Sequence, residues 1–244
     1  MRRFDCDLHI HTLLSPCGDW DMTPRRVVEA ALDAGLDMIA VCDHNSAENA
    51  GAVIRAGAAR GLAVLPGMEI CSREEAHFLG LFPDGASARR MQGFVWRHLP
   101  GDNNPQAFGY QVVANEHDEV EYECERLLVG ATTLSAARVV RSIHANGGLA
   151  AASHVDRPSF SLVGQLGFIP PDLPLDAVEV SFRATCEQVA RVVHGMAGLP
   201  CLRNSDAHFP GEVGRARTFL VAEEPTFAEL AMALAGRNGR RIEV

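Results

Sequence analysis

The sequence predicts an α/β fold, most simply one β/α barrel, on three observations. Short apolar runs alternate with segments of helical periodicity, the rhythm of parallel strands joined by crossover helices. The runs are continuous rather than strictly alternating, as in Leu36-Asp37-Met38-Ile39-Ala40-Val41-Cys42, which suits strands buried on both faces. Histidines and carboxylates recur at the ends of these runs, and the C-terminal face of a parallel barrel is where chemistry is placed. At 244 residues with 47% hydrophobic content, the chain is long enough for one barrel or for two small domains.

The first strand runs from Phe4 to Ile10 and ends in Asp7-Leu8-His9-Ile10-His11-Thr12. Residues two apart in a strand share a face, so His9 and His11 aim together. Two converging buried imidazoles are either a hydrogen-bonded core pair or a ligand site, and the later motifs decide between these. Thr23-Pro24 opens a helix with Val27, Val28, Ala31 and Leu32 on its apolar face, and Gly35 ends it. The second strand delivers Asp43-His44-Asn45. Ser46 is the expected cap of a helix reaching Arg60, and a third strand from Leu62 leads through Gly67 and Met68 to Glu69.

A fourth strand, opened by His77, extends to Phe82, and the alternation predicts a mostly parallel sheet. Residues 84–133 break the rhythm with a helix to His98, a turn-rich stretch from Pro100 to Pro105, and a hairpin turning at Glu116-His117-Asp118. This segment reads as an insertion on a single 1–244 barrel domain. Regularity resumes with a helix from Ser135 to Asn146 and a strand ending in His154-Val155-Asp156-Arg157. The strand from Ala177 to Ser181, a helix from Cys186 to Ala197, and a strand from Pro200 to Asn204 follow, the last ending in Ser205-Asp206-Ala207-His208. A strand from Arg217 to Val221 and a helix from Phe227 to Ala235 complete the reading.

Five strand ends or their margins thus present His9 and His11, Asp43 and His44, Glu69, His154, and Asp206 and His208, with His77 beside them. The mixture of imidazole and carboxylate suits zinc, manganese or iron, whereas magnesium wants mainly oxygen. His98, His117, His144 and His194 fall in helix or hairpin positions and read as ordinary surface or packed histidines.

Composition narrows the chemistry. All 22 basic residues are arginine, so a Schiff-base lysine, a P-loop lysine and a carboxylated bridging lysine are excluded. A net charge of −9 argues against broad adhesion to nucleic acid or anionic membrane, although a local basic pocket can still hold phosphate. Neither an apolar leader nor a run of about 18 apolar residues is present, which points to a cytoplasmic protein with no membrane partner. Seven scattered cysteines without a Cys-x-x-Cys pair predict neither a disulfide framework nor a cysteine-rich zinc site.

These motifs together resemble the polymerase and histidinol phosphatase (PHP) family of metal-dependent phosphoesterases. The resemblance implies a distorted seven-stranded β/α barrel holding two or three divalent ions. It implies that His9, His11, Glu69 and Asp206 hold the first ion, that Glu69 bridges to a second completed by His77 and His154, and that His44 and His208 hold a third. Many relatives place a histidine or aspartate where Pro16 and Cys17 stand, so the third site here falls to Cys17 as thiolate, to Asp19 or Asp21, or is weak or absent.

Asp7 and Asp43 are expected to orient ligating histidines rather than to bind. Clustered ions would hold phosphate oxygens and lower the pKa of a bound water toward about 7. His208 or His44, with Asp43 nearby, is the expected proton donor to the leaving group, and Arg157 and Arg183 can fork onto phosphate. The expected substrate is a small phosphorylated metabolite or nucleotide, a monoester before a diester, with no stable nucleic-acid partner. An amidohydrolase-type barrel or a metal-bound module without turnover are the alternatives; the common bridging lysine of the former is missing.

Overall fold

In the computed structural model, which describes all 244 residues, the first motif closes a nine-residue strand, β1 (Arg2–Ile10). Helix α1 (Pro24–Asp33) has the expected Thr23 cap, whose side chain accepts from the Arg26 N–H, and leads to β2 (Met38–Val41). Helix α2 (Ala50–Ala58) begins three residues later than the Ser46 cap predicts. The intervening turn is occupied otherwise: Ser46 Oγ and Ala47 N–H both donate to Gln92 Oε1, and Asn49 Nδ2 donates to Thr12 Oγ1 and the Val112 carbonyl. Strand β3 (Ala63–Cys71) then carries Glu69. A side chain at Gly67 could not fit, because its Cβ would stand 2.5 Å from Cys42 Sγ and 2.9 Å from the Val41 carbonyl oxygen.

Strand β4 (His77–Leu81) corrects the parallel expectation. It runs antiparallel to β3, and also to β7 (Leu149–Ala152). The loop between Cys71 and His77 is too short for a crossover, which needs a dozen or more residues. Between β4 and β7 lie α3 (Gly85–Trp96), the single turn α4 (Pro105–Phe108), the hairpin β5 (Val112–Ala114) and β6 (Val120–Glu123), and α5 (Ala136–Ala145). Ala88, Met91 and Val95 of α3 join the main core, so this part of the 84–133 segment is a barrel helix. The hairpin is a separate two-stranded ribbon. It packs Val112 and Ala114 on Leu13, and Val113 on Leu14.

After β7 come α6 (Leu162–Leu166), β8 (Ala177–Val180), α7 (Cys186–Ala190) and β9 (Cys201–Arg203). Helix α7 stops seven residues before the predicted Ala197. Gly195 and Gly198 adopt positive φ in the turns that follow. Strand β10 (Thr218–Ala222), helix α8 (Phe227–Leu234) and a short β11 (Arg241–Glu243) finish the chain. No helix is long and apolar enough to cross a membrane.

The nine-stranded sheet has the order β11-β10-β1-β2-β3-β4-β7-β8-β9. A parallel bridge between Ile10 and Ala207, just beyond β9, brings the two ends of the last seven together, giving a nearly closed, distorted seven-stranded barrel. Strands β10 and β11 hang from β1 as an antiparallel flap. Half of the pairings are parallel and half antiparallel, so the sheet is mixed rather than mostly parallel.

The barrel interior is filled. One apolar cluster takes Phe4, Met38, Leu65, Leu79, Ala151, Ala177 and Leu202, a side chain from each ring strand. Above it the inward positions turn ionisable within one to four residues. On β1 the change coincides with an irregularity in the pairing with β2 between Asp7 and Ile10. Leu8 faces the inner cluster whereas Ile10 faces the helical layer, so the irregularity switches the inward parity and aims His9 and His11 into the mouth.

One disulfide, Cys186–Cys201, ties the start of α7 to β9, where the sequence predicts no such bond. The two cysteines are 15 residues apart with no local motif, so spacing alone could not find them. Closing a loop of that length restricts the unfolded chain by about 3 kcal/mol. In the oxidised protein, Cys186→Ser should therefore lower unfolding free energy by about that amount. Denaturant unfolding with and without reductant measures it, and equal stabilities would show the bond has no effect.

Candidate metal centre

Glu69 is the hub of the barrel mouth. Its carboxylate lies 3.4 Å from His9 Nε2, 3.4 Å from His11 Nε2, and 3.1 Å from each of His44 Nδ1, His77 Nδ1 and His154 Nε2. All of these residues are buried except His44, which is partly so. One carboxylate cannot satisfy five imidazoles by hydrogen bonds alone.

The donor atoms gather in three groups, each with its ligand atoms within 4.8 Å of one another. One is His9, His11, Glu69 and Asp206; a second is His44, Glu69 and His77; a third is His11, His44 and His208. His154 stands against the second group through Glu69 Oε1, while the structure puts His44 within that group as well. Two observations fit divalent ions here. His9 Nε2 and His11 Nε2 face each other at 3.1 Å, and the buried His77 Nδ1, although 3.1 Å from Glu69, makes no hydrogen bond to it. Borderline imidazole and hard carboxylate donors together can hold divalent ions.

Surrounding groups set the imidazole orientation. His9 Nδ1–H points to both oxygens of Glu179, at 3.1 and 3.0 Å. His11 Nδ1–H donates to Ser15 Oγ at 2.9 Å, and the Ser15 hydroxyl donates to Asp43 at 2.7 Å. His208 Nδ1–H donates to the Asp206 carbonyl. Each leaves Nε2 directed at the cluster. Backbone strain sits at the same places: His154 and Asp206 have φ of 29° and 50°, outside the usual range for residues with side chains.

Glu179 escaped the sequence reading. It is 1% exposed at the centre of β8, holds His9, accepts from the His154 N–H, and is held by Asn204 Nδ2. The available signal was a carboxylate inside the apolar run Ala177-Val178-Glu179-Val180, where burial demands a partner. Asn204 also went unremarked; its Oδ1 accepts from the Leu8 N–H across the seam.

Several predicted roles change. Asp43 accepts from Thr12 N–H, Thr12 Oγ1 and Ser15, so it acts on His11 through Ser15 and has no free oxygen facing the cleft for proton transfer. Asp7 orients no imidazole. Its carboxylate holds the Ser205 and Gly214 N–H groups, and burial pushes its pKa up to about 6. Arg157 reaches the centre, with Nη2 2.6 Å from Asp206 Oδ2. Arg183 does not: it is exposed and lies over Phe182. Asp19 and Asp21 join none of the three groups, and the Asp19 carboxylate caps the Asp21 N–H. Cys17 Sγ lies 3.3 Å from His44 Nε2. Burial would raise the Cys17 pKa, but the neighbouring His44 and His208 overcome it and bring it down to about 5.

The same balance governs the ligands. Burial disfavours charge on His9, His11 and His44, yet the facing carboxylates, and for His44 chiefly Cys17, raise all three, His44 to about 10. Glu69 and Asp206 are held well below the usual carboxylate range by those imidazoles despite burial. A raised imidazole pKa means a proton must leave before an ion binds, so metal affinity should climb with pH until about 10. Calorimetric titration at pH 7.5 in buffers of different ionisation enthalpy should count at least about one proton released per ion. Zero release would contradict the charge arrangement.

Over this cluster opens a cleft of about 260 Å³, walled by Cys17, Val129, Arg157 and Phe160 as well as the ligands. Val129 arrives from the 84–133 segment because Asn45, next to His44, donates from Nδ2 to the Leu128 and Gly130 carbonyls. Phe160 stacks on His77 with centroids 5.1 Å apart.

Residues 7–162 match the family described as the PHP domain, and residues 188–238 match one described as PHP-associated. The chain belongs to the PHP family. Within curated proteins this PHP chain is similar to YqxK of Bacillus subtilis (strain 168), an uncharacterized protein, at 33% identity over 101 residues, 39% of this chain and 26% of YqxK. In fold it is similar to the lesion-specific endonuclease PfuEndoQ of Pyrococcus furiosus, with a TM-score of 0.70 and 19% identity, covering 99% of this chain and 58% of that one. An amidohydrolase of Chromobacterium violaceum with bound sulfate gives a TM-score of 0.60 at 18% identity, covering 94% of this chain and 96% of that one. At these identities the structural likeness establishes the barrel and nothing finer. The PHP chain spans about a quarter of YqxK and 58% of PfuEndoQ.

Proposed function

We propose that the protein is a metal-dependent phosphoesterase that hydrolyses a small phosphorylated metabolite or nucleotide, a monoester in preference to a diester. The observation that carries this reading is the single Glu69 carboxylate shared by five imidazoles at the floor of a cleft with a guanidinium on its wall. His9, His11, Glu69 and Asp206 would hold one ion. Glu69, His77 and His154 would hold a second, with His44 close by. His44 and His208, beside His11 and Cys17, offer a third place. Bound there, two or three divalent ions supply charge for the phosphate oxygens and activate water.

The chain's own groups do the rest. Arg157 keeps donors free beyond its bond to Asp206, and a planar guanidinium suits the paired oxygens of a phosphate. With two ions bound and the third place open, His208, its Nδ1 tied to a carbonyl, presents Nε2 at the rim to protonate the departing alcohol. Cations and Arg157 offset the repulsion that a chain of net charge −9 exerts on an anionic substrate.

Metal analysis of the purified protein, with hydrolysis assays on phosphomonoesters, phosphodiesters, nucleotides and amides in the presence of zinc, manganese or iron, tests the reading. Release of inorganic phosphate from monoesters that stops on chelation and returns with metal supports it. Full metal content with amide cleavage alone, or with no turnover of any of these, rejects it.

A further inference from the structure

Away from the mouth, α3 and α5 stand side by side with no acidic residue in either, in a chain that holds 31 of them. Between them lies a groove of about 450 Å³ lined by Arg90, Arg97, Arg138 and Arg141 around Phe94. All four arginines are exposed, and none has a carboxylate within salt-bridge distance. Asp84, six residues before Arg90, turns its carboxylate to the Ser87 N–H at the head of α3.

The arginines are held in place without being neutralised. Arg90 donates to Ser87 Oγ, Arg141 to the Ala137 carbonyl, and the Arg97 and Arg138 guanidiniums lie 5.9 and 5.6 Å from the Phe94 ring centre. Each guanidinium has five N–H donors, so most remain free. Four unpaired positive charges kept together on an otherwise acidic surface repel one another, and a polyanion relieves that repulsion. At its upper end α3 adjoins the cleft: Trp96 Nε1 donates to the carbonyl of Asn45, and His98 accepts from the Thr133 N–H.

We propose that the α3–α5 groove is a second binding site, separate from the metal centre, that takes the phosphodiester backbone of a nucleic acid. Guanidinium forks match phosphate oxygens, and a strand seated there would run toward a mouth read above as acting on phosphate monoesters, the group a nucleic acid carries at a phosphorylated end. The choice of nucleic acid over an acidic peptide rests on that reading; binding itself does not. Net charge argued against broad adhesion to nucleic acid, and the groove answers it locally.

Fluorescence polarisation of a labelled 16-nucleotide oligodeoxythymidine, and of a 16-base-pair duplex, with metal-loaded protein at several salt concentrations tests this. The comparison variant replaces Arg90, Arg97, Arg138 and Arg141 with glutamine, with its fold checked by thermal melting. At about 0.7 or 0.9 counterions per phosphate contact, the substitutions should make the log–log salt slope shallower by about 3 and weaken binding at least tenfold. Phosphatase activity on a small monoester should stay within twofold, and a monoester inactive with the wild type would count against the function above rather than against this site. Should the fourfold variant fail to fold, the Arg90→Gln, Arg141→Gln pair should remove about half of the slope change. No binding by the wild type at 50 mM salt, an unchanged slope in the variants, or displacement by polyglutamate at matched charge as effective as by unlabelled oligonucleotide would each overturn the proposal.

Discussion

Replacing Glu69 with glutamine is expected to lower phosphoester hydrolysis by at least about three orders of magnitude, equivalent to about 4 kcal/mol of transition-state stabilisation. Bound metal should fall by at least one ion per chain. The amide keeps the shape but removes the charge that five imidazoles share, and with it the proposed bridge between cations. In the metal-free state the change also leaves raised-pKa histidines without their central counter-charge. Losing one partner of a buried ion pair costs about 3–5 kcal/mol, so the apo variant should unfold at distinctly lower denaturant. Inductively coupled plasma analysis, steady-state kinetics and urea unfolding on the same preparation separate the two effects. A variant that keeps full metal and hydrolyses within tenfold of the wild type would remove the basis for a shared-carboxylate centre.

Glu179→Gln should come next in severity. Glu179 touches no substrate; it is a positioning residue acting on His9, so the expected loss is about 10- to 100-fold in metal affinity, as for other partners of ligating histidines. At saturating metal, kcat should recover most of that loss while KM stays within about threefold, which a general collapse of the fold would not produce. Glu179→Asp, too short to reach His9 yet still charged, should behave like glutamine. Unchanged metal affinity in both would mean His9 needs no anchor.

Most of the candidate cluster was legible because the chain places these side chains in strand-end motifs, where two-residue periodicity and a following turn announce both position and direction. His9, His11, Glu69, His77, His154 and Asp206 all meet where those motifs implied. Direction faded in loops. Arg157 and Arg183 each follow a strand closely, and nothing in their spacing says that one turns onto Asp206 and the other onto Phe182. Asp19 and Asp21 look available until the turn that satisfies one with the other's backbone is seen.

Glu179 was hidden for the opposite reason, since a single charge inside an apolar run reads as a strand residue unless its burial is known. The orientation of β4 followed from loop length alone, yet the repeating helix-strand rhythm on either side masked it. The Cys186–Cys201 bond depends on where α7 ends against β9, a tertiary outcome that no local pattern encodes.

The barrel closes at one seam, where Ile10 meets Ala207, and the same seam joins His9 and His11 to an aspartate 195 positions downstream. During synthesis the two histidines emerge from the ribosome long before Asp206 does. A nascent chain therefore displays only half of the cluster, a pair of imidazoles, for most of its translation. Correct loading must wait for the late strand to arrive, and an ion seated then would act as the fastener that locks the last stave of the barrel against the first.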